Sequence, residues 1–561
     1  MIPFRRKVTC DDMNLSLNNR LSRARNVVYE EFVASRNLDT VWWDPLLLVW
    51  MDKACDRLID AMTRNQKIMV FADYDVDGVS SAYLLTLVFR HILGYKNMFV
   101  MFPDRIEDWY GLKTKHIAMM KSQGVDIFVT VDNGITSIAE AEYAREQCID
   151  MIVTDHHSPL ATLPDALAVI NPKCSPDYPH PDLCGASVAY KLGCVLIDRS
   201  SLDESVKVEK KRHLLPIAAM ATVADIVPLH GENRAIVAEW LTMLRRRDNV
   251  PVWLQWFIDF LWLRHEIDTY HFGFVLWPRI NAGGRVASPY DSLRALLTTW
   301  QSQRDALQLL DDLNAERKLM QKTAYDHAKK HVNHDAKIVF VADESFHEGI
   351  VGIVAGKLCE QYYKITIIGK IVEETQMMVA SLRAPDYGDV LPFLDFVRDL
   401  TIKAGGHTHA GGLSIALSNY DMFVQRIAEY EARFLTDIPS HKTILADTKL
   451  MPSEWTDALL GQLGLFHPFG EANPEPRLLW EGKITALRIF SKTEDKHYKL
   501  TVSCEGVDVS VMCRRMPERY RAEWDEISVI GTVSRDTYTG WMMMTAKALF
   551  TSWWWPQCLC E

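Results

Sequence analysis

The chain has 561 residues, too many for one hydrophobic core, so two to four domains are expected. Its 48% hydrophobic and 24% charged residues suit a globular protein, and no charge-free apolar run of about 18 residues appears, which excludes a membrane-spanning helix. The net charge of −11 counts against a nucleic-acid partner, although the distribution of charge matters more than its sum and metal-binding acids inflate the negative count.

The N-terminus is basic from Arg5 to Lys7 but leads into Asp11, Asp12 and Asn14, without the apolar core of a signal peptide. Eleven cysteines are scattered singly and none forms Cys-x-x-Cys. That usage predicts reduced, buried thiols in a cytoplasmic protein.

Residues 1–66 are expected to form a helical lead-in, with Trp42, Trp43 and Trp50 packing on the next domain. From 67 a β-α-β rhythm begins. Strands are predicted over 67–72, 97–102, 126–131, 149–154 and 166–170, with helices over 79–93, 113–123 and 138–147. This rhythm implies an α/β domain with a parallel sheet, whose ligands bind beyond the carboxyl ends of the strands. Helices follow over 185–198, 213–224 and 234–246. The Trp-rich stretch 253–277 reads as helical and buried, its aromatics packing a core rather than stacking on bases. A long helix over 301–331 joins this domain (67–300) to a smaller α/β domain (332–440). There the predicted elements are strands at 337–342, 365–369 and 377–382, helices at 350–361 and 390–400, and a Gly-rich loop over 405–412. The region 441–561 changes from about residue 476 to short alternating strands, which suit a β-barrel such as an OB-fold.

Acids fall where the strands end. Asp73-Tyr74-Asp75-Val76-Asp77-Gly78 follows the first strand, Asp132-Asn133-Gly134 the third and Asp155-His156-His157 the fourth, while Asp225 closes an apolar helix. Clustered carboxylates repel unless a cation or proton offsets them. The first cluster is a poor calcium loop, because it follows a strand and its twelfth position is Leu84. Asp225 alone reads as a helix cap, and only its company makes it a ligand candidate. Asp155 is expected to orient His156. Carboxylates with imidazole and without cysteine favour Mn²⁺ or Mg²⁺ over structural zinc. Two such ions, about 3.5–4 Å apart, suit phosphoester hydrolysis. The glycines around His407, and the segment 278–285 with Arg279 and Arg285, offer bare backbone and guanidinium groups for phosphate; as plain turns they are equally well explained.

Together these motifs resemble the DHH phosphoesterase superfamily, with Gly405-Gly406-His407 similar to the motif of its second domain, DHHA1. Pro278 to Arg285, Asn314 with Arg317, and His467 to Pro474 resemble the bacterial RecJ exonucleases. The resemblance implies one ion held by Asp73, Asp75 and Asp132, and a second by Asp77, Asp132, His156 and Asp225. It places His157 and His407 beside the reacting phosphate, with Asp155 counted among the catalytic residues. It assigns substrate contacts to Arg105, Arg279, Asn281, Arg285, Ser381 and Arg383, the last two in a 5′-phosphate pocket. It also implies single-stranded DNA as substrate, cut from the 5′ end to mononucleotides in recombination and repair, a monomeric enzyme, and a helicase and a single-strand-binding protein as partners. Members commonly read Glu-Gly-Tyr-Gly where this chain has Glu107 to Gly111 with Trp109, and carry small residues where it has His409 and Gly412. The chain is also expected to lack the extra C-terminal domain of longer members.

Two other readings fit parts of the pattern. A phosphodiesterase of short oligonucleotides or cyclic dinucleotides would share the two α/β domains but not the barrel. A non-catalytic DNA-binding scaffold would have lost metal ligands, whereas every expected position is filled here.

Overall fold

The computed structural model describes residues 4–104, 111–248, 250–263, 267–298, 301–436, 438–439, 442–490, 497–514, 526–536, 539–551 and 554–559. They fall into two compact units. One comprises residues 34–319 with 468–473, the other residues 1–33, 320–467 and 474–561. Among the described residues no helix is long and apolar enough to cross a membrane. Nine of the described cysteines are free thiols and six of these are buried, as apolar fillers should be.

The chain opens with strand β1 (Phe4–Cys10), which corrects the wholly helical lead-in expected over 1–66; helices start at Leu17. The unit of residues 34–319 is built on β2 (Ile68–Ala72), β3 (Met98–Met101), β4 (Ile127–Val131), β5 (Asp150–Thr154) and β6 (Ala168–Ile170). All pair in parallel, in the order β3-β2-β4-β5-β6. β2 and β4 are buried along their whole length, as continuous apolar runs covered on both faces must be. The order reverses between β2 and β4, so a crevice opens at their carboxyl ends.

Helices α1 (Val76–Thr86) and α2 (Gly185–Asp198) are apolar nearly all round and buried, and they pack against each other and α3 (Glu204–Ala224). Of the lead-in tryptophans, Trp42 packs firmly, with Lys191 Nζ 3.3 Å from its ring centre. Lys191 also donates to the Trp43 carbonyl at 2.7 Å and pairs with buried Glu232, whose other oxygen accepts from Tyr178 Oη at 2.5 Å. Trp43 and Trp50 are exposed, contrary to expectation.

The Trp-rich stretch splits by face. Trp253, Phe257, Phe272 and Trp277 are buried, Phe260 is half-buried, and Trp256, Trp262, Tyr270 and Phe274 face solvent, so the wholly buried reading holds for only four of the nine. Residues 278–285 lie in helix α4 (Trp277–Val286) rather than a turn. Gly283 and Gly284 serve close packing: a Cβ at Gly284 would run into the Tyr74 carbonyl oxygen, and one at Gly283 into Ser292. Helix α5 (Gln301–Lys330) then carries the chain onward.

In the other unit, β7 (Ile338–Asp343), β8 (Ile365–Val372), β9 (Met377–Arg383), β10 (Thr401–His407) and β11 (Ala410–Ala416) make a second sheet, in the order β10-β11-β9-β8-β7, with helix α6 (Glu348–Tyr362) connecting β7 to β8. The expected Gly-rich loop is an antiparallel hairpin that pairs Gly405 with Gly412 and Gly406 with Gly411. The glycines admit a neighbouring strand, since a Cβ on Gly406 would strike the Ala410 carbonyl.

The C-terminal sheet contains β12 (Lys442–Lys449), β13 (Leu478–Phe490), β14 (His497–Cys504), β15 (Val507–Cys513), β16 (Ile527–Arg535), β17 (Met542–Thr551) and β18 (Trp554–Leu559). The path β13-β14-β15-β17-β16 returns to β13 and closes a five-stranded barrel. β12 joins β13, and β1 joins β12, both in parallel. Buried Arg20 fixes this attachment by donating to the Lys449 carbonyl at 2.7 Å and pairing with Glu454.

Candidate metal centre

Pairing register brings the strand-end acids level. Ala72 lies opposite Val131, and Val131 opposite Thr154. Each following acid extends the ladder by one bond: Asp73 N donates to Val131 O, Asp132 N to Thr154 O, and Asp155 N to Ile170 O. Three carboxylates on neighbouring strands therefore reach the same end of the sheet, at its switch point.

Each is then aimed by local structure. Asp75 caps α1, its Oδ1 accepting from Asp77 N at 2.9 Å and Gly78 N at 3.1 Å. Residue 78 must be glycine, because a Cβ would run into the Asp73 carbonyl. Asn281 Oδ1 accepts from Val76 N at 3.1 Å, which ties α4 to the same turn. Asp77 points back to the N-terminus of α2, accepting from Gly185 N at 2.6 Å and Ala186 N at 2.8 Å. Asp132 has a φ of 61°, a left-handed conformation that aspartate tolerates better than most residues. Asp225 is the C-cap of α3.

The side chains converge as two groups. Asp73, Asp75 and Asp132 bring one oxygen each to within 4.8 Å of one another, and a ring nitrogen of His156 meets one oxygen each of Asp77 and Asp225 within the same distance. Asp132 Oδ1 and His156 Nε2, 3.2 Å apart, join the two groups. His156 Nε2 is buried without a hydrogen-bond partner, while Asp225 Oδ2 lies at 3.5 Å and Asp77 Oδ2 at 3.8 Å.

The electrostatics explain what the site needs. Burial first, then the neighbouring acids, push Asp132 and Asp225 well above the ordinary carboxylate range. Burial and the charge of Asp75 push Asp77 up to about 6, against the α2 amides that favour its ionised form. Burial and the charge of His157 hold His156 down to about 3, so its ring is neutral and can ligate. An unpartnered imidazole nitrogen among carboxylates that repel one another fits a divalent cation in both groups.

Asp155 departs from expectation. It orients His157, not His156: its Oδ1 lies 2.8 Å from His157 Nδ1. It also accepts from the amides of Ile135, His156 and His157. Although burial alone would raise it, these bonds and the two imidazoles hold Asp155 at about 2. The same contact outweighs burial at His157 and raises its pKa.

The other predicted site residues are placed as follows. Arg279 is engaged with Asp311 at 2.8 Å, so its guanidinium stiffens α4 against α5. Arg285 is half-buried on α4. Ser381 and Arg383 share one face of β9, both close to Gly352 of α6. His407 is exposed at the end of β10. Arg105 and the Trp109 departure lie outside the described residues.

Sequence reasoning missed the supports. Asn171 Nδ2 donates to the His157 carbonyl at 3.0 Å, and Lys173 Nζ to the His156 carbonyl at 2.6 Å. Both follow β6, so their place at a strand end was the available signal. Residues 468–473 also return to this unit: Glu471 O accepts from Leu229 N at 2.8 Å, and Phe469 O from Thr269 Oγ1 at 2.6 Å. They brace the segment that follows Asp225.

Comparison with known proteins agrees with this geometry. Residues 67–222 match the model of the DHH family, N-terminal domain, and residues 446–546 that of the RecJ OB domain. The single-stranded-DNA-specific exonuclease RecJ of Salmonella typhimurium is 31% identical over 478 residues, 81% of each chain. That of Bacillus subtilis is 30% identical over 479 residues, which cover 83% of this chain and 58% of the relative. The crystal structure of RecJ from Thermus thermophilus in complex with Mn²⁺ superposes with a TM-score of 0.81 at 25% identity, covering 99% of this chain and 80% of that one. The same protein with Mg²⁺ gives 0.74 at 23% identity, covering 100% and 80%. With its strand-end acids, its closed barrel and a 31% identical relative matched over 81% of that relative's length, this chain belongs to the RecJ family of single-stranded-DNA-specific exonucleases.

Proposed function

We propose that the chain is a metal-dependent exonuclease that shortens single-stranded DNA from its 5′ end and releases 5′-mononucleotides. One observation carries the reading: two ligand groups joined through Asp132 and His156 at the switch point of a parallel sheet. Asp73, Asp75 and Asp132 would hold one divalent ion, and Asp77, Asp132, His156 and Asp225 the other. A Mn²⁺ or Mg²⁺ pair supplies Lewis acidity at phosphorus and lowers the pKa of water.

The chain's own residues do the rest. Gly185 and Ala186 fix Asp77 before any ion arrives, so the ligands need little reorganisation. Asp155 favours the protonated form of His157 beside Asp132, a form that would offer positive charge to a phosphate and a proton to the departing 3′ oxygen. Ser381 and Arg383 share a face that suits a terminal phosphate. His407 and Arg285 are assigned to phosphate contacts, Asn281 to holding the acidic turn, and Arg105 to the strand end.

The accompanying division places catalysis in 67–300, a second, DHHA1-like domain in 332–440 after the helix 301–331, and strand binding in the barrel region 441–561. An enzyme restricted to single strands needs those strands freed and kept apart. That need supports a helicase and a single-strand-binding protein as partners; recombination and repair as the setting, a cytoplasmic location and a monomeric state follow from the family resemblance alone.

The test is one single-stranded DNA labelled at either end and incubated with Mn²⁺. Immediate release of the 5′ label as a mononucleotide, with the 3′ label kept on a shrinking ladder, supports the reading. Release of the 3′ label first, or cleavage of dinucleotides alone, overturns it.

A further inference from the structure

The residue after Asp225 is unusual. Ile226 has a φ of 57°, and among the described residues it is the only β-branched side chain with positive φ. It stands just past the end of α3, where a left-handed residue commonly terminates a helix and glycine is preferred. A β-branched residue is strained there, because its Cβ crowds the following carbonyl oxygen. Burial does not offset that strain, because Ile226 is 67% exposed. Nor is the conformation loose. Asp225 N donates to Ala221 O at 2.9 Å, Asn233 Nδ2 to Pro228 O at 3.1 Å, and Leu229 N to Glu471 O at 2.8 Å. Buried Leu229 also packs against Gly470. The surroundings thus hold a large apolar side chain in water, in a conformation that glycine or asparagine would adopt more easily.

Its neighbour explains the arrangement. Asp225 Oδ2 reaches to 3.5 Å from His156 Nε2, and Ile226 Cα follows Asp225 Cα by about 3.8 Å. An apolar group one residue from a ligand of the metal centre lies within reach of a nucleotide whose phosphate is held there. Resting on the exonuclease reading above, we propose that Ile226 is a substrate-positioning residue: its exposed side chain packs against the nucleobase of the nucleotide being released. Every base has an apolar face, so such a contact orients the sugar and phosphate without selecting sequence.

The experiment measures kcat/KM of the full chain with Mn²⁺ on two single strands, one normal and one with abasic analogues at its first two 5′ positions. Wild type is expected to prefer the normal strand about fivefold, the share of a part-buried apolar side chain. Ile226→Gly should lose that preference through a higher KM on the normal strand, while its melting temperature stays level or rises. Ile226→Asn, equally at ease at positive φ, should behave alike, and Ile226→Val should keep most of the preference. Retention of the wild-type preference and KM by both Ile226→Gly and Ile226→Asn would overturn the contact and leave a helix terminator alone. Failure of wild type to cut either strand would overturn the exonuclease reading itself.

Discussion

The amide of Gly185 donates to Asp77 Oδ2 across 2.6 Å, so the N-terminus of α2 holds a fully buried carboxylate of the centre. The same glycine leaves room for Asp132: a Cβ there would lie 2.7 Å from Asp132 Cβ and 2.9 Å from its Oδ1. Gly185→Ala is therefore expected to displace two ligands at once. Mn²⁺ affinity, followed by titration calorimetry, should fall roughly 10–100-fold, the usual loss when a ligand's support is disturbed. The far-ultraviolet circular dichroism should not change.

Asp132→Asn keeps the left-handed backbone, which asparagine also tolerates, and removes one charge from a repelling group. Without metal the variant should melt higher than the parent. On adding Mn²⁺ the order should reverse, because the parent gains its full binding energy, about 2.7 kcal/mol at a hundredfold excess over Kd, and the variant, without the shared ligand, gains less. Melting curves with and without Mn²⁺ check both halves.

The pH dependence follows from the signs of the shifts. Asp77, Asp132 and Asp225 have raised folded-state pKa values, so their contribution to metal-free stability is present below the unfolded value and lost as pH rises through each folded value, which is about 6 for Asp77 and well above the ordinary carboxylate range for Asp132 and Asp225. Asp155, held at about 2, works the other way: its contribution is present above the unfolded value and lost as pH falls through about 2. Cation binding requires the raised acids to be ionised. The rise in melting temperature on adding Mn²⁺ should therefore be large at neutral pH and shrink as pH falls through about 6. An equal rise on both sides of that pH would show that the acids are not the ligands.

Lys191 and Glu232 form a buried ion pair capped by the Trp42 ring. Lys191→Met leaves Glu232 charged and buried with only Tyr178 and the Trp43 amide as donors. A loss of about 3–5 kcal/mol is expected by urea denaturation. The double variant Lys191→Met with Glu232→Leu should recover part of it, since an apolar pair removes the stranded charge.

The catalytic half was legible because its signals are local. An apolar run that ends in acid names both the strand and the ligand, and β2, β4 and β5 each do so. Glycine was the ambiguous letter. Around 283–284 and 405–412 it suggested turns, yet in α4 and the β10–β11 hairpin its role is to let backbones approach. The partner of Asp155 was misread because adjacent histidines look alike in sequence, whereas a single hydrogen bond selects His157. Net charge was a weak guide for a physical reason: buried acids placed to hold cations count as negative in a formula, and bound cations would neutralise them. Strand β1 could not be foreseen, because its pairing partner, β12, is remote in sequence.

That remote pairing bears on how the molecule is made. During synthesis β1 leaves the ribosome well before β12, which follows only after the parallel sheet and its helices have been translated. An early segment must stay unpaired while the middle of the chain folds, and closing so long a loop is entropically slow. The waiting strand exposes an unsatisfied edge, which makes nascent or refolding chains prone to pair with one another at high concentration. A fusion partner placed ahead of Phe4 should therefore change the yield of folded protein more than one placed in the turn between β14 and β15.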